Sequence, residues 1–272
     1  MRPPPAIVLA AFLLAAAQMT AAQPPAQGAG GGGWVRIAGG AFVMGTDNGP
    51  GDERPAHTVT VKPFLIDRLP VTNAQFAAFL DARGVVDAQG RRYFDWDDGD
   101  ARIHERDGRF TADPGQEDHP VVEPSWRGAL AYCRWRGARL PSEAEWERTA
   151  RGTSGRTYPW GEVPPDRSRA QFGAGWVETA PVTAHPAGAT PEGVLDLAGN
   201  VHEWTSSLYM PYPYRAEDGR EDAEAPGERV TRGGAADTGA ETLAATWRGE
   251  GVSRGPRAGH HNIGFRCARD VP

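Results

Sequence analysis

Apolar positions recur at helical spacing in three stretches of the chain. Between Asn73 and Ala82, Phe76, Phe79 and Leu80 fall on one face, Thr72 stands where a cap is needed, and Gly84 stands as the stop. A second helix is predicted from Ser125 or Trp126 to about Arg136, ending at Gly137. The third has the clearest start, because Ser142 followed by Glu145 makes a capping box, with Trp146 on the buried side and Gly152 at the C-terminal end. Strands are predicted at Trp34–Ile37, Ala41–Met44 and His57–Val61, the last alternating as Thr58-Val59-Thr60-Val61. Beyond Gly152 the pattern dissolves. Tyr158 to Ala258 is rich in Gly and Pro and shows no helical period, yet it holds Trp160, Trp176, Trp204 and Trp247. Such a region is expected to fold around fixed turns, ions or a disulfide, since its backbone polar groups must still be satisfied.

The N-terminal pattern differs in kind. Met1-Arg2 precedes an apolar run from Ala6 to Ala17, and a small-x-small site ends at Ala22. A bilayer-spanning helix needs about 20 apolar residues, so the run reads as a signal peptide over residues 1–22. Residues 23–33 (QPPAQGAGGGG) form a Pro/Gly leader without side chains to bury, and residues 34–272 form the folded domain. No second long apolar segment follows, so no membrane span is expected after signal cleavage. The protein is expected to be exported, either periplasmic or secreted. A formal net charge of −6 without a Lys/Arg cluster argues against nucleic acid as a partner.

Short blocks along the chain carry a resemblance. In order they are Gly39-Gly40-Ala41-Phe42-Val43-Met44-Gly45, Glu53-Arg54-Pro55-Ala56-His57, Val71-Thr72-Asn73, Pro124-Ser125-Trp126, Ala131-Tyr132-Cys133-Arg134-Trp135, and Arg139-Leu140-Pro141-Ser142-Glu143-Ala144-Glu145-Trp146-Glu147. Tyr158-Pro159-Trp160-Gly161, Leu197-Ala198-Gly199-Asn200-Val201-His202-Glu203-Trp204, Arg232-Gly233-Gly234 and Gly264-Phe265-Arg266-Cys267 follow. Together they resemble the landmarks of the formylglycine-generating enzyme, or sulfatase-modifying factor, family. The resemblance implies an α+β fold of the C-type-lectin-like kind, with low regular secondary structure and a surface groove.

The resemblance also implies what is missing. Family enzymes oxidise a sulfatase peptide cysteine with O2 and a copper ion held by two cysteines downstream of Arg-Gly-Gly. Thiolates suit Cu(I) because they are soft ligands. Here those positions fall at Thr238 and near Leu243, the serine usual after Arg-Gly-Gly is Ala235, and the usual tryptophan before Glu203 is His202. The chain is therefore not expected to be a copper-thiolate oxidase. Cys133 and Cys267 stand at positions that the family joins by a disulfide, and an even cysteine count in an exported chain favours a bridge over free thiols or a metal pair.

Asp196, Gly199, Val201 and Glu203 match a family calcium site, with Asp196 in place of an asparagine, and offer the oxygens a hard cation takes. Calcium is the expected cofactor; the alternative is a turn in which Asp196 binds amides and Glu203 pairs with an arginine. His202 with His260 or His261, and Asp237 as carboxylate partner, form a candidate pocket for copper, iron or zinc, with Arg248 nearby. Arg232, Gly233 and Gly234 either present backbone amides to a substrate in the groove or let the chain pass beneath Trp204 or Trp247.

Three functions follow. The first is a non-generating family member that binds a peptide, protein or glycan, or assists maturation of another exported protein. The second is a divergent metal-dependent oxidoreductase using the histidine pocket. The third, true formylglycine generation, requires thiols this sequence lacks.

Overall fold

The computed structural model describes residues 33–176, 178–249 and 259–271; the expected signal peptide and the leader up to residue 32 lie outside the described residues. Three helices form where their caps are written. In α1 (Asn73–Arg83) the Thr72 hydroxyl accepts from Gln75 N while the Gln75 side chain accepts from Thr72 N, and Gly84 closes the far end. In α2 (Trp126–Trp135) Ser125 Oγ accepts from Gly128 N. In α3 (Glu143–Arg151) Ser142 and Glu145 complete the reciprocal box, and Gly152 ends the helix. Each cap contributes about 1 kcal/mol by satisfying amides that no helical carbonyl reaches.

Among the described residues, ten short strands surround these helices. They are β1 (Trp34–Ile37), β2 (Gly40–Met44), β3 (His57–Val61), β4 (Phe64–Asp67), β5 (Ile103–Arg106), β6 (Arg109–Ala112), β7 (His202–Leu208), β8 (Arg229–Arg232), β9 (Ile263–Gly264) and β10 (Ala268–Asp270). β4 lies between β1 and β10, antiparallel to both. β2 pairs with β3, and β5 with β6. β7 is central in a third sheet, antiparallel to β8 and parallel to β9. The region after Gly152 is thus not uniformly irregular. It supplies the middle strand of a sheet, and the sequence hides this because β7 is buried along almost its whole length and does not alternate.

Two cores result. Phe76, Phe79, Phe94, Tyr132 and Phe265 pack edge against face beneath α1 and α2. Cys133 and Cys267 are joined by a disulfide inside this cluster. Phe42, Met44, Phe64, Ile66 and Trp146 fill the second core, between α3 and strands β2 to β4. Arg136 ties the two, donating to both Asp67 oxygens, and Asp67 Oδ2 also accepts from Cys267 N. No helix among the described residues is long and apolar enough to cross a membrane.

Candidate functional site

Four loops meet on one face of this scaffold. Gly173 N donates to Thr238 O and Ala174 N to Ala236 O, both at 2.7 Å, so the 171–176 segment runs beside the turn that follows β8. Asp237 in that turn accepts from Asn262 Nδ2 and pairs with His261 Nε2 at 2.9 Å. Burial raises the Asp237 carboxyl, but its bonds from His261 and Asn262 prevail and hold it below the ordinary range. The His261 ring stacks on Trp176 with centroids 3.5 Å apart, and Trp176 Nε1 donates to Asp100 Oδ2 at 2.7 Å. Trp176 is nevertheless 65% exposed. A large aromatic ring is therefore fixed at its edge and on one face, and offers the rest of its surface to solvent.

The two positions expected to correspond to the family's copper ligands, Thr238 and Leu243, carry no thiol. The Thr238 hydroxyl closes its own turn, contacting Ala235 N, Ala235 O and Thr242 Oγ1. Leu243 is buried against Ala170 and Ala198. Both cysteines of the chain lie in the disulfide.

Several expected site residues belong to the interior instead. Arg232 is fully buried, donating to Glu143 Oε1 at 3.0 Å and to Glu147 Oε2 at 2.5 Å. Arg248 donates to both oxygens of the same Glu143 and to the carbonyls of Asp52 and Met210. Both arginines are thus counter-charges for α3 and do not face a groove. Burial raises the Glu143 carboxyl, but Arg248 and Arg232 outweigh it and bring its pKa below the ordinary range. Gly233 and Gly234 lie where side chains would collide. A Cβ on Gly233 would stand 3.0 Å from Leu197 O and 3.1 Å from Trp146, and one on Gly234 would stand 2.6 Å from Thr242 Oγ1, so the close neighbours are these residues and not the Trp204 or Trp247 of the packing alternative.

The histidines do not assemble. His202 is buried on β7, where its ring stacks on Trp247 and its amide donates to Asn262 O. His260 Nδ1 lies 2.7 Å from Asn262 Oδ1, and its ring leans on His261. His202, His260, His261 and Asp237 bring no three ligand atoms within metal-binding distance of one another. Among the described residues, Asp98, Asp100 and Glu123 alone do so, with carboxylate oxygens within 4.8 Å. The sequence reading missed this trio. Its signal was the run Asp95-Trp96-Asp97-Asp98-Gly99-Asp100, four aspartates in six residues; Glu123 joins because Phe94 bridges Pro124.

The four residues expected to hold calcium lie on one turn and its neighbouring strand. Asp196 is buried at a left-handed φ of 60°, and its Oδ2 accepts from Asn200 Nδ2 at 2.7 Å. Burial, with Glu203 adding, pushes its carboxyl up to about 7, against the Asn200 bond and Arg266. Gly199 is required next to it, since its φ is 79° and a Cβ would stand 2.2 Å from Gln171 O. Glu203, however, accepts from Arg266 Nε and Nη2 and from Trp146 Nε1 at 2.8 Å. The arginine pairing weighed as the alternative is therefore present. Asp196 fits a hard cation as the charged ligand, whereas Glu203 shares its oxygens with a guanidinium and an indole.

Comparison with known proteins settles the family. Residues 17–271 match the sulfatase-modifying factor enzyme 1-like domain. A formylglycine-generating enzyme of Streptomyces coelicolor is 37% identical over 288 residues, covering 88% of this chain and 90% of that protein. The chain belongs to the sulfatase-modifying factor family. It is also 39% identical over 243 residues to a Chlamydia trachomatis protein named serine/threonine-protein kinase Pkn1; the match covers 87% of this chain but only 38% of that relative's length. A mouse protein named inactive C-alpha-formylglycine-generating enzyme 2 is 35% identical, over 86% of this chain and 84% of its own. Among solved structures, PvdO from Pseudomonas aeruginosa superposes with a TM-score of 0.67 at 28% identity, covering 88% of this chain and 94% of PvdO. The fold is α+β, of the C-type-lectin-like kind found in this family, with little regular secondary structure.

Proposed function

We propose that this chain is a non-generating member of the family that binds a peptide segment of another exported protein and assists its maturation. The observation that carries the reading is Trp176, an exposed ring held rigid by Asp100 and by the His261–Asp237 pair. Tryptophan anchors of this kind dominate recognition surfaces because they offer large contact area at little entropic cost. Beside it, the turn that holds copper ligands in generating members carries a Thr238 hydroxyl used only to close the turn. The similarity to a relative named inactive supports the same reading. A divergent oxidoreductase loses support because its candidate histidines do not converge.

The test is selection from a random peptide display library on immobilised wild type and on the Trp176→Ala variant. Wild type is expected to retain a set of related sequences whose synthetic peptides bind Trp176→Ala about tenfold or more weakly, at unchanged melting temperature. Equal binding by the two proteins, or aldehyde formation on a cysteine-containing peptide, overturns the reading.

Calcium held by Asp196, with the carbonyls of Gly199 and Val201 and a shared Glu203, belongs to the same proposal as a structural ion. Chelation is expected to lower the melting temperature by several degrees, and Asp196→Ala, which removes the side-chain oxygens, to abolish that chelator sensitivity. An equal response of both proteins to the chelator overturns it.

A further inference from the structure

Outside that turn, the structure holds a second arrangement of oxygens suited to a cation. Residues 95–100 form successive tight turns, in which Asp98 N donates to Asp95 O and Ala101 N to Asp98 O. Asp98 Oδ1 accepts from Asp100 N at 2.8 Å, and Asp100 Oδ2 from the Trp176 indole. Glu123 enters from the neighbouring segment, where Asp95 N donates to its carbonyl and its own amide donates to His260 O. Its side chain reaches the two aspartates, so that all three carboxylates have oxygens within 4.8 Å.

Glu123 sets this group apart from an ordinary acidic surface. It is only 3% exposed, and among the described residues no hydrogen-bond donor and no basic side chain reaches its carboxylate. Burial, with Asp98, Asp95 and Asp100 adding, pushes its pKa up to about 8. The nearby guanidinium does not relieve the charge, because Arg92 is directed to Asp95 and Asp97 instead. A carboxylate buried this deeply is normally paired with a cation or coordinates one.

We propose that Asp98, Asp100 and Glu123 form a binding site for a hard divalent cation, with calcium as the best-fitting ion. Three carboxylates and no nitrogen or sulfur donor select a hard ion. Oxygens all within 4.8 Å of one another fit the roughly 5 Å between opposite oxygens around calcium, which accepts irregular oxygen sets completed by water, whereas magnesium demands a near-ideal octahedron. A single lysine or arginine of a client would neutralise one of three charges, whereas a divalent ion neutralises two and lets water complete its shell. Because Asp100 also anchors Trp176, the ion braces the exposed ring from behind. The site is independent of the Asp196 turn and of the client reading.

Calorimetric titration of the chelator-treated full chain with calcium, magnesium and manganese chlorides tests the assignment. Wild type is expected to show a calcium event that Glu123→Gln weakens by roughly a hundredfold or more and Asp98→Asn by about tenfold, while Asp196→Ala leaves it in place. Glu123→Gln is nearly isosteric and removes an uncompensated charge, so its melting temperature should be no lower than that of chelated wild type. Asp98 is exposed, and its variant reports on the site without disturbing the interior. Calcium binding by Glu123→Gln equal to wild type overturns the proposal. So does a protein whose entire divalent binding vanishes with Asp196→Ala, an outcome that leaves the other calcium proposal standing. Absence of any divalent binding means that Glu123 holds a proton there instead, and also overturns it.

Discussion

Arg232→Met is expected to destabilise the protein by at least 3–5 kcal/mol, because it leaves buried carboxylates without their counter-charge. In the native protein one guanidinium serves both Glu143 and Glu147, and all three side chains are fully buried. Arg232 Nη2 also donates to Ala245 O, fastening the segment after β8 to α3. Glu143 keeps Arg248 when Arg232 is lost, but Glu147 keeps only Arg151 at 3.3 Å and the Gly45 amide at 2.7 Å. The larger part of the cost therefore falls on Glu147. At roughly 2–4 °C per kcal/mol for a chain of this size, the midpoint of thermal unfolding should fall by about 10–15 °C. Adding Glu147→Gln should restore part of that loss, since the two residues act as one unit. A midpoint within about 2 °C of wild type for Arg232→Met alone would contradict the structural role and return Arg232 to the groove.

Removal of the Cys133–Cys267 bridge ranks with it. The two residues are 134 apart in sequence, so the bridge closes a long loop in the unfolded chain. In the chain-entropy account that restriction contributes about 4–5 kcal/mol. The Cys133→Ala, Cys267→Ala double variant should therefore unfold at markedly lower denaturant concentration, read by circular dichroism against urea. Both sulfurs are buried in the aromatic core, so a mild thiol reductant should leave the native protein intact and act only once denaturant opens it. Equal urea midpoints for the variant and wild type would show that the bridge contributes nothing.

Much of this fold was legible because its helices announce their ends. Thr72 with Gln75, Ser125 before Trp126, and Ser142 with Glu145 place three N-termini, and Gly84 and Gly152 close two of the helices. Such signals are local, and the residues that create them lie within one turn of each other. The strands after residue 200 were hidden for the opposite reason. In β8, Arg229 and Arg232 are both buried, one over the Trp126 ring and the other against α3. Their partners stand about a hundred residues away, and nothing local marks the pairing. The same distance effect misplaced Arg248, whose partner Glu143 is 105 residues away. The disulfide was readable despite its span because the chain has only two cysteines, and the family resemblance places both at bridged positions.

The antiparallel pairing of β10 with β4 gives the last stretch of the chain an unusual weight. Residues 263–270 supply the outer strand beside β7, the guanidinium that neutralises Glu203, the second half of the disulfide, and the strand that completes the sheet begun by β1 and β4. One short segment thus fastens two sheets, a buried carboxylate and the aromatic core at once, so a cut or substitution within it would loosen parts of the molecule that touch nowhere else in sequence.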